Sequence, residues 1–164
     1  MSTDDPKELV RQGYDHLSEH YDQAFGGETK YRVWLAELDR QISSAARVLD
    51  LGCGSGIPVA RVLAATGRRV VGVDISDVQI GRARRLVPDA DFIPADATAI
   101  DFEPESFDAV VCLYMLIHLP LDQQFPLLAK IAGWLRPQGL LVTTTGHRAW
   151  TGSDDNWLGS GTTM

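Results

Sequence analysis

The chain has 164 residues, 45% of them apolar and 23% charged, ordinary values for one soluble domain large enough to bury a sizeable core. A formal net charge of −7 and a pI near 4.9 disfavour a nucleic-acid partner, because such partners are held by basic faces that release counterions from phosphates. Met1-Ser2-Thr3-Asp4-Asp5-Pro6 lacks the basic start and apolar stretch of a secretory leader, and no apolar run approaches the roughly 20 residues that span a bilayer; a cytoplasmic protein with no membrane partner is expected.

Residues 4–44 read as helical, with Leu9, Val10, Leu17, Tyr21, then Tyr31, Trp34, Leu35, Leu38 and Ile42 at helical spacing; Gly26-Gly27 divides the region into two pieces. From there strand and helix alternate. Arg47-Val48-Leu49-Asp50-Leu51 is a first strand running into glycines, and Val59 to Ala65 is a helix stopped by Gly67. Arg69 to Asp74 is a second strand. Ser76 caps a helix that ends at about Leu86, before Pro88. Asp91 to Pro94 makes a short third strand. Phe107 to Leu113 is a fourth, with the near-continuous apolar pattern of a strand covered on both faces. Asp122 is expected to cap a helix reaching Trp134, with Pro126 near its first turn. Arg136-Pro137-Gln138-Gly139 is expected to turn, and Leu140 to Thr145 to form a fifth strand.

Alternation of this kind implies an α/β fold, a Rossmann-like doubly wound parallel sheet with helices on both faces. Three segments follow: an N-terminal helical cap over residues 1–44, a core over 45–146, and an irregular tail over 147–164 rich in Gly, Ser, Thr and Asp.

Open parallel sheets bind ligands beyond the C-terminal strand ends, where strand order reverses. The loop after the first strand is Asp50-Leu51-Gly52-Cys53-Gly54-Ser55-Gly56, and its alternating glycines let the backbone turn tightly and approach a ligand. The helix after it presents the positive end of its dipole, which suits an anionic group. The dinucleotide fingerprint G-x-G-x-x-G would need its third glycine at position 57, which is Ile57, with Pro58 after it. Asp50 also ends the strand directly before the loop, a poor neighbour for a pyrophosphate and a good one for an ammonium. Asp74 ends the second strand, where both nucleotide-binding families grip a ribose diol.

Val48 to Gly56 resembles the first motif of the class I S-adenosylmethionine-dependent methyltransferases. Four further segments fall in register with that family: Val71 to Ser76, Ala95-Asp96-Ala97, Phe107 to Cys112, and Leu135 to Leu141, the last with Gln138 in place of the usual second glycine of a Pro-Gly-Gly turn, a difference expected to matter little. The resemblance covers about Ser44 to Thr145. It implies that S-adenosylmethionine is the cofactor, its methionine part held by Asp50 and the backbone of the Gly52-Cys53-Gly54 turn, with Gly56 closing the loop. Asp74 would take the ribose hydroxyls, Ile75 would cover an adenine face, Asp96 with Ala97 would meet the adenine amino edge, and the Leu113 carbonyl would meet the cofactor ammonium. Tyr14 and Tyr21, seven apart, would lie over the cofactor, where an aromatic face stabilises a sulfonium by roughly 0.5–2 kcal/mol. Any one of these aspartates alone reads as a turn former or helix cap, and the tyrosine pair reads as an ordinary packing face. Three acids at successive strand ends favour the cofactor.

Methyl transfer from a sulfonium is an in-line displacement with a good leaving group, so alignment and exclusion of water are the main requirements. His118, in Leu116-Ile117-His118-Leu119-Pro120 just past the fourth strand, is the first candidate for a general base or for a residue that shapes the pocket; His147 is weaker. No metal is expected: Cys53 and Cys112 lack partners at ligand spacing, and His16 and His20 lack the Glu of H-E-x-x-H. The acidic surface points to a small-molecule acceptor. The alternatives are a binding module for S-adenosylmethionine or S-adenosylhomocysteine without turnover and, less consistent with Asp50 and Ile57, an NAD(P)-dependent oxidoreductase. The family has seven strands, the last two an antiparallel pair over the fifth. Asp154 to Gly159 resembles the loop that follows strand five. Truncation relative to the family is therefore expected, or a homodimer that covers the exposed edge.

Overall fold

The computed structural model of the protein describes residues 5–25 and 29–146, together with Gly152 and Asn156. Gly26-Gly27, His147, Trp150 and, but for Asn156, the Asp154–Gly159 segment lie outside the described residues. Asp5 accepts the Lys7 amide on Oδ1 at 3.0 Å and the Leu9 amide on its carbonyl at 3.1 Å; with Pro6 in the first helical position, where its missing N–H costs nothing, this starts helix α1, Pro6–Phe25. Helix α2, Thr29–Gln41, buries Leu35 and Leu38.

The remaining elements in chain order are β1 (Arg47–Leu51), α3 (Val59–Ala65), β2 (Arg69–Asp74), α4 (Asp77–Leu86), β3 (Asp91–Pro94), β4 (Phe107–Cys112), one 3₁₀ turn (Leu116–His118), α5 (Leu121–Trp134) and β5 (Leu135–Thr143). The strands form one parallel sheet in the order β3-β2-β1-β4-β5. The chain winds outward from β1 through β2 to β3, then crosses back to place β4 on the other side of β1. The switch point therefore lies between β1 and β4, and Asp50 stands beside it.

Side chains alternate across the sheet with period two, which produces two cores. Val48, Val70, Ala109 and Val111 face α2, α3 and α4 through Leu35, Leu38, Leu63 and Ile80. Leu49, Leu51, Val71, Val73, Val110 and Cys112 face α5 through Leu127, Ile131 and Trp134. Among the described residues, no helix is long and apolar enough to cross a membrane.

Four local expectations are corrected. β4 ends at Cys112, one residue before Leu113. α5 starts at Leu121 behind Pro120, so Asp122 sits in the first turn and caps nothing. Pro126 is consequently the sixth helical residue, beyond the first turn; it is exposed, so water reaches the carbonyl that its missing N–H leaves free. β5 begins at Leu135, paired with Phe107, and ends at Thr143. The segment expected to turn is an irregularity within the strand, after which the ladder resumes at Ala109↔Leu140. Gln138 takes φ +68° there, a left-handed conformation that glycine adopts freely and a side chain does not.

Candidate functional site

The C-terminal strand ends open into one cavity of about 1060 Å³, the solvent at its mouth included. Asp50 of β1, Asp74 of β2, Asp96 after β3 and Leu113 after β4 all line it, as do Gly52, Cys53, Gly54, Ile75 and Ala97. α1 forms its roof. Lys7, Val10, Tyr14 and Tyr21 fall on one stripe of that helix and face the same space. His118 and every residue assigned to the cofactor from the sequence therefore meet at this cavity, except Gly56; the weaker candidate His147 lies outside the described residues. Gly56 has φ +78°, and a Cβ there would come within 3.1 Å of Phe92 and Val87, so it shapes the loop from the core side and does not line the cavity.

The glycine loop is tied down by its own amides. Gly52 and Cys53 both donate to the Val73 carbonyl, at 2.8 and 3.0 Å, and Gly54 donates to Asp74 Oδ2 at 2.9 Å. These three loop amides are thus already satisfied within the protein, and Pro58, which has no N–H, precedes α3. Gly52 is required twice over: its φ is +71°, and a Cβ would meet Met115 Cβ at 2.6 Å.

The acids differ in their surroundings. Asp50 is 2% exposed, and its Oδ2 accepts no hydrogen bond from the described residues. Burial first, then the charge of Asp74, pushes its pKa up to about 8. An isolated carboxylate of this kind is costly unless a cation or donor reaches it. Burial also raises Asp74, but its oxygens are fastened by the Gly54 amide and, at 2.9 Å, by the Ser76 amide, which favour the charged form. Asp96 is held the other way: burial would raise it, yet Lys7 and Thr98 bring it below the usual carboxylate value. Lys7 Nζ lies 2.5 Å from its Oδ2, while the Thr98 amide and hydroxyl both donate to Oδ1 at 2.8 Å.

On the opposite wall, Tyr14 Oη and His118 Nε2 share a hydrogen bond of 3.0 Å, with the rings edge-on at 5.6 Å. Burial lowers the His118 pKa to about 4, so its ring is neutral at physiological pH, and burial raises both Tyr14 and Tyr21 above the ordinary phenol value. Tyr14 and Tyr21 meet edge-to-face at 5.3 Å.

Sequence reading missed several lining residues. Tyr31 from α2 and Tyr114 after β4 pack edge-to-face at 6.2 Å, and Tyr114 sits at φ +61° with its amide donating to Thr144 Oγ1 at 2.6 Å. A strained tyrosine of this kind has no local signal in sequence. Asp22 accepts from Ser55 Oγ at 2.9 Å and from Arg82 at 2.8 Å, which anchors the far end of α1 to the glycine loop and α4. Lys7 was also missed; the adjacent Asp5-Pro6 pair, a cap followed by a first-turn proline, marks the helix start that delivers it.

A family model described as a methyltransferase domain matches residues 48–139, more than half of the chain. Among curated relatives, the 27-O-demethylrifamycin SV methyltransferase of Amycolatopsis mediterranei is 30% identical, over 87% of this chain and 59% of the relative. The demethylmenaquinone methyltransferase of Clavibacter sepedonicus is 36% identical, over 79% of this chain and 54% of the relative. The chain thus spans somewhat more than half the length of these two relatives. Among solved structures, a TehB-like SAM-dependent methyltransferase from Corynebacterium glutamicum aligns with a TM-score of 0.66 at 26% identity, covering 83% of this chain and 77% of that one.

Proposed function

The chain belongs to the class I S-adenosylmethionine-dependent methyltransferases, and from that membership we propose that it transfers a methyl group from this cofactor to a small-molecule acceptor. The observation that carries the proposal is the buried Asp50 carboxylate at the sheet's switch point, whose Oδ2 has no partner among the described residues, in one cavity with Asp74 and Asp96. Asp50 fits the cofactor's ammonium, Asp74 its ribose diol and Asp96 its adenine amino group. Loop amides that already donate to Val73 and Asp74 fit an amino-acid moiety better than a pyrophosphate, which supports this assignment over a dinucleotide.

When bound, the cofactor supplies a methyl group activated on a sulfonium. The protein's own residues align the partners and keep water out: α1 roofs the cavity, and Tyr14 and Tyr21 present aromatic faces suited to a cation. Neutral His118 stands ready to accept a proton, with Tyr14 fixing its ring; burial keeps its basicity low, so it serves an acidic hydroxyl or carbon acid better than an alcohol. A small-molecule acceptor is also supported by the two relatives, whose names specify a rifamycin and a menaquinone precursor.

The test is release of S-adenosylhomocysteine from S-adenosylmethionine across a panel of phenols, hydroxyquinones, alcohols and amines. Acceptor-dependent release from a phenol or hydroxyquinone, sharply reduced in His118→Ala, supports the proposal. Tight cofactor binding with no release on any acceptor points instead to a binding module without turnover.

A further inference from the structure

The roof of the cavity is attached unevenly. At its C-terminal end and along its middle α1 is held by a network. Asp22 binds Ser55 and Arg82, Ser18 donates to Gln79 Oε1 at 2.6 Å and also meets Arg82, and Ser76 donates to Asp15. Its N-terminal end crosses the opposite side of the cavity, beside Asp96, and there the attachment is Lys7: Nζ to Asp96 Oδ2 at 2.5 Å and to Thr98 Oγ1 at 3.1 Å, joining positions 89 and 91 apart in sequence. Both partners of this ion pair are about a fifth to a quarter exposed, so water and salt reach it. Burial does not reinforce this end: every residue from Asp5 to Gln12 is half-buried or exposed, and the well-buried positions Gly13, Leu17 and Ser18 lie further along the helix.

We infer that Lys7 is a clasp on the cofactor pocket: its ion pair with Asp96 holds the first turns of α1 shut over the adenine end, and its opening limits cofactor release. The inference rests on the proposed assignment of Asp96 to the adenine amino group. Asp96 serves both partners. Thr98 takes Oδ1 with two donors and fixes the carboxylate plane, which leaves Oδ2 able to receive Lys7 on one lone pair and an amino group on the other. The Asp5 cap and Pro6 set where α1 begins and so deliver Lys7 to this position. A bound cofactor and a closed α1 therefore converge on the same carboxylate, which couples recognition of the nucleobase to closure of the roof.

Stopped-flow displacement of S-adenosylhomocysteine from the full chain, at low and high salt, tests this. In the native protein the off-rate rises with ionic strength. Lys7→Met raises the low-salt off-rate by roughly tenfold, the scale of one charge-assisted contact, and removes the salt dependence. Lys7→Arg restores both, which a general defect in folding would not do. Asp96→Asn combined with Lys7→Met adds less than the two single changes together, because they remove one shared contact. Off-rates for Lys7→Met at the native value and with native salt dependence would overturn the inference while leaving the cofactor assignment standing. Failure of the native protein to bind S-adenosylhomocysteine would overturn both.

Discussion

Cofactor affinity should depend on pH through Asp50. Its carboxyl has a pKa of about 8 in the ligand-free protein, because it is buried without a donor and faces Asp74. An ammonium binds only the ionised form. At pH 6 about one molecule in a hundred carries that form, and at pH 8 about half do, so the competent fraction grows about 50-fold over this interval. The cofactor's own α-amino group, with an ordinary pKa of about 8, is about half deprotonated at pH 8, which reduces the net gain to about 25-fold, or about 2 kcal/mol. Affinity should therefore rise from pH 6, peak near pH 8 and fall beyond it, and binding at pH 6 should release about one proton. Calorimetry in buffers of different ionisation enthalpy measures both quantities. His118, at about 4, does not titrate in this window. Asp50→Asn should bind more weakly and lose the rise between pH 6 and 8. A dissociation constant that varies by less than about threefold from pH 6 to 8, without proton release, would refute the reasoning from Asp50.

Other consequences are open to direct measurement. The same carboxyl binds its proton more tightly folded than unfolded, so it costs stability increasingly as pH rises from about 4 towards 8; ligand-free Asp50→Asn should melt above the native protein at pH 8 and no higher at pH 4. Gln138→Gly relieves the left-handed backbone in β5 and should stabilise the fold by about 1 kcal/mol, seen as a rise of roughly 2–4 °C in Tm. Gly52→Ala forces a Cβ against Met115 at positive φ and should cost about 2–4 kcal/mol in denaturant unfolding while abolishing cofactor binding. Tyr14→Phe keeps the ring and should change S-adenosylmethionine affinity by less than about threefold, whereas Tyr14→Ala should lose roughly 0.5–2 kcal/mol of it.

The central strands were readable because their signals are local. The apolar run Arg47–Leu51 stops at Gly52 with Asp50 as its penultimate residue, the run Arg69–Asp74 stops at Asp74, and Ser76 caps the helix after it; these boundaries match the structure residue for residue. β5 was misread because Leu135 joins the sheet by pairing with Phe107, 28 positions earlier, while Pro137 and Gly139 beside it carry the local signature of a turn. Tyr31, Tyr114 and Lys7 escaped for a similar reason. Each reaches the cavity through a tertiary contact, with Tyr114, Tyr31 and Asp96 respectively, that no spacing along the chain encodes. Gly56 shows the converse: it belongs to the motif by sequence, yet its neighbours are Phe92 and Val87 in the core.

The most direct measurement is calorimetric titration of the protein with S-adenosylmethionine, S-adenosylhomocysteine and NAD, repeated on Asp74→Ala. The account predicts micromolar binding of both sulfur-containing ligands, loss of that binding when Asp74 and its ties to Gly54 and Ser76 are removed, and no binding of NAD. Comparable binding of NAD, or undiminished binding of the sulfur ligands to Asp74→Ala, would contradict it.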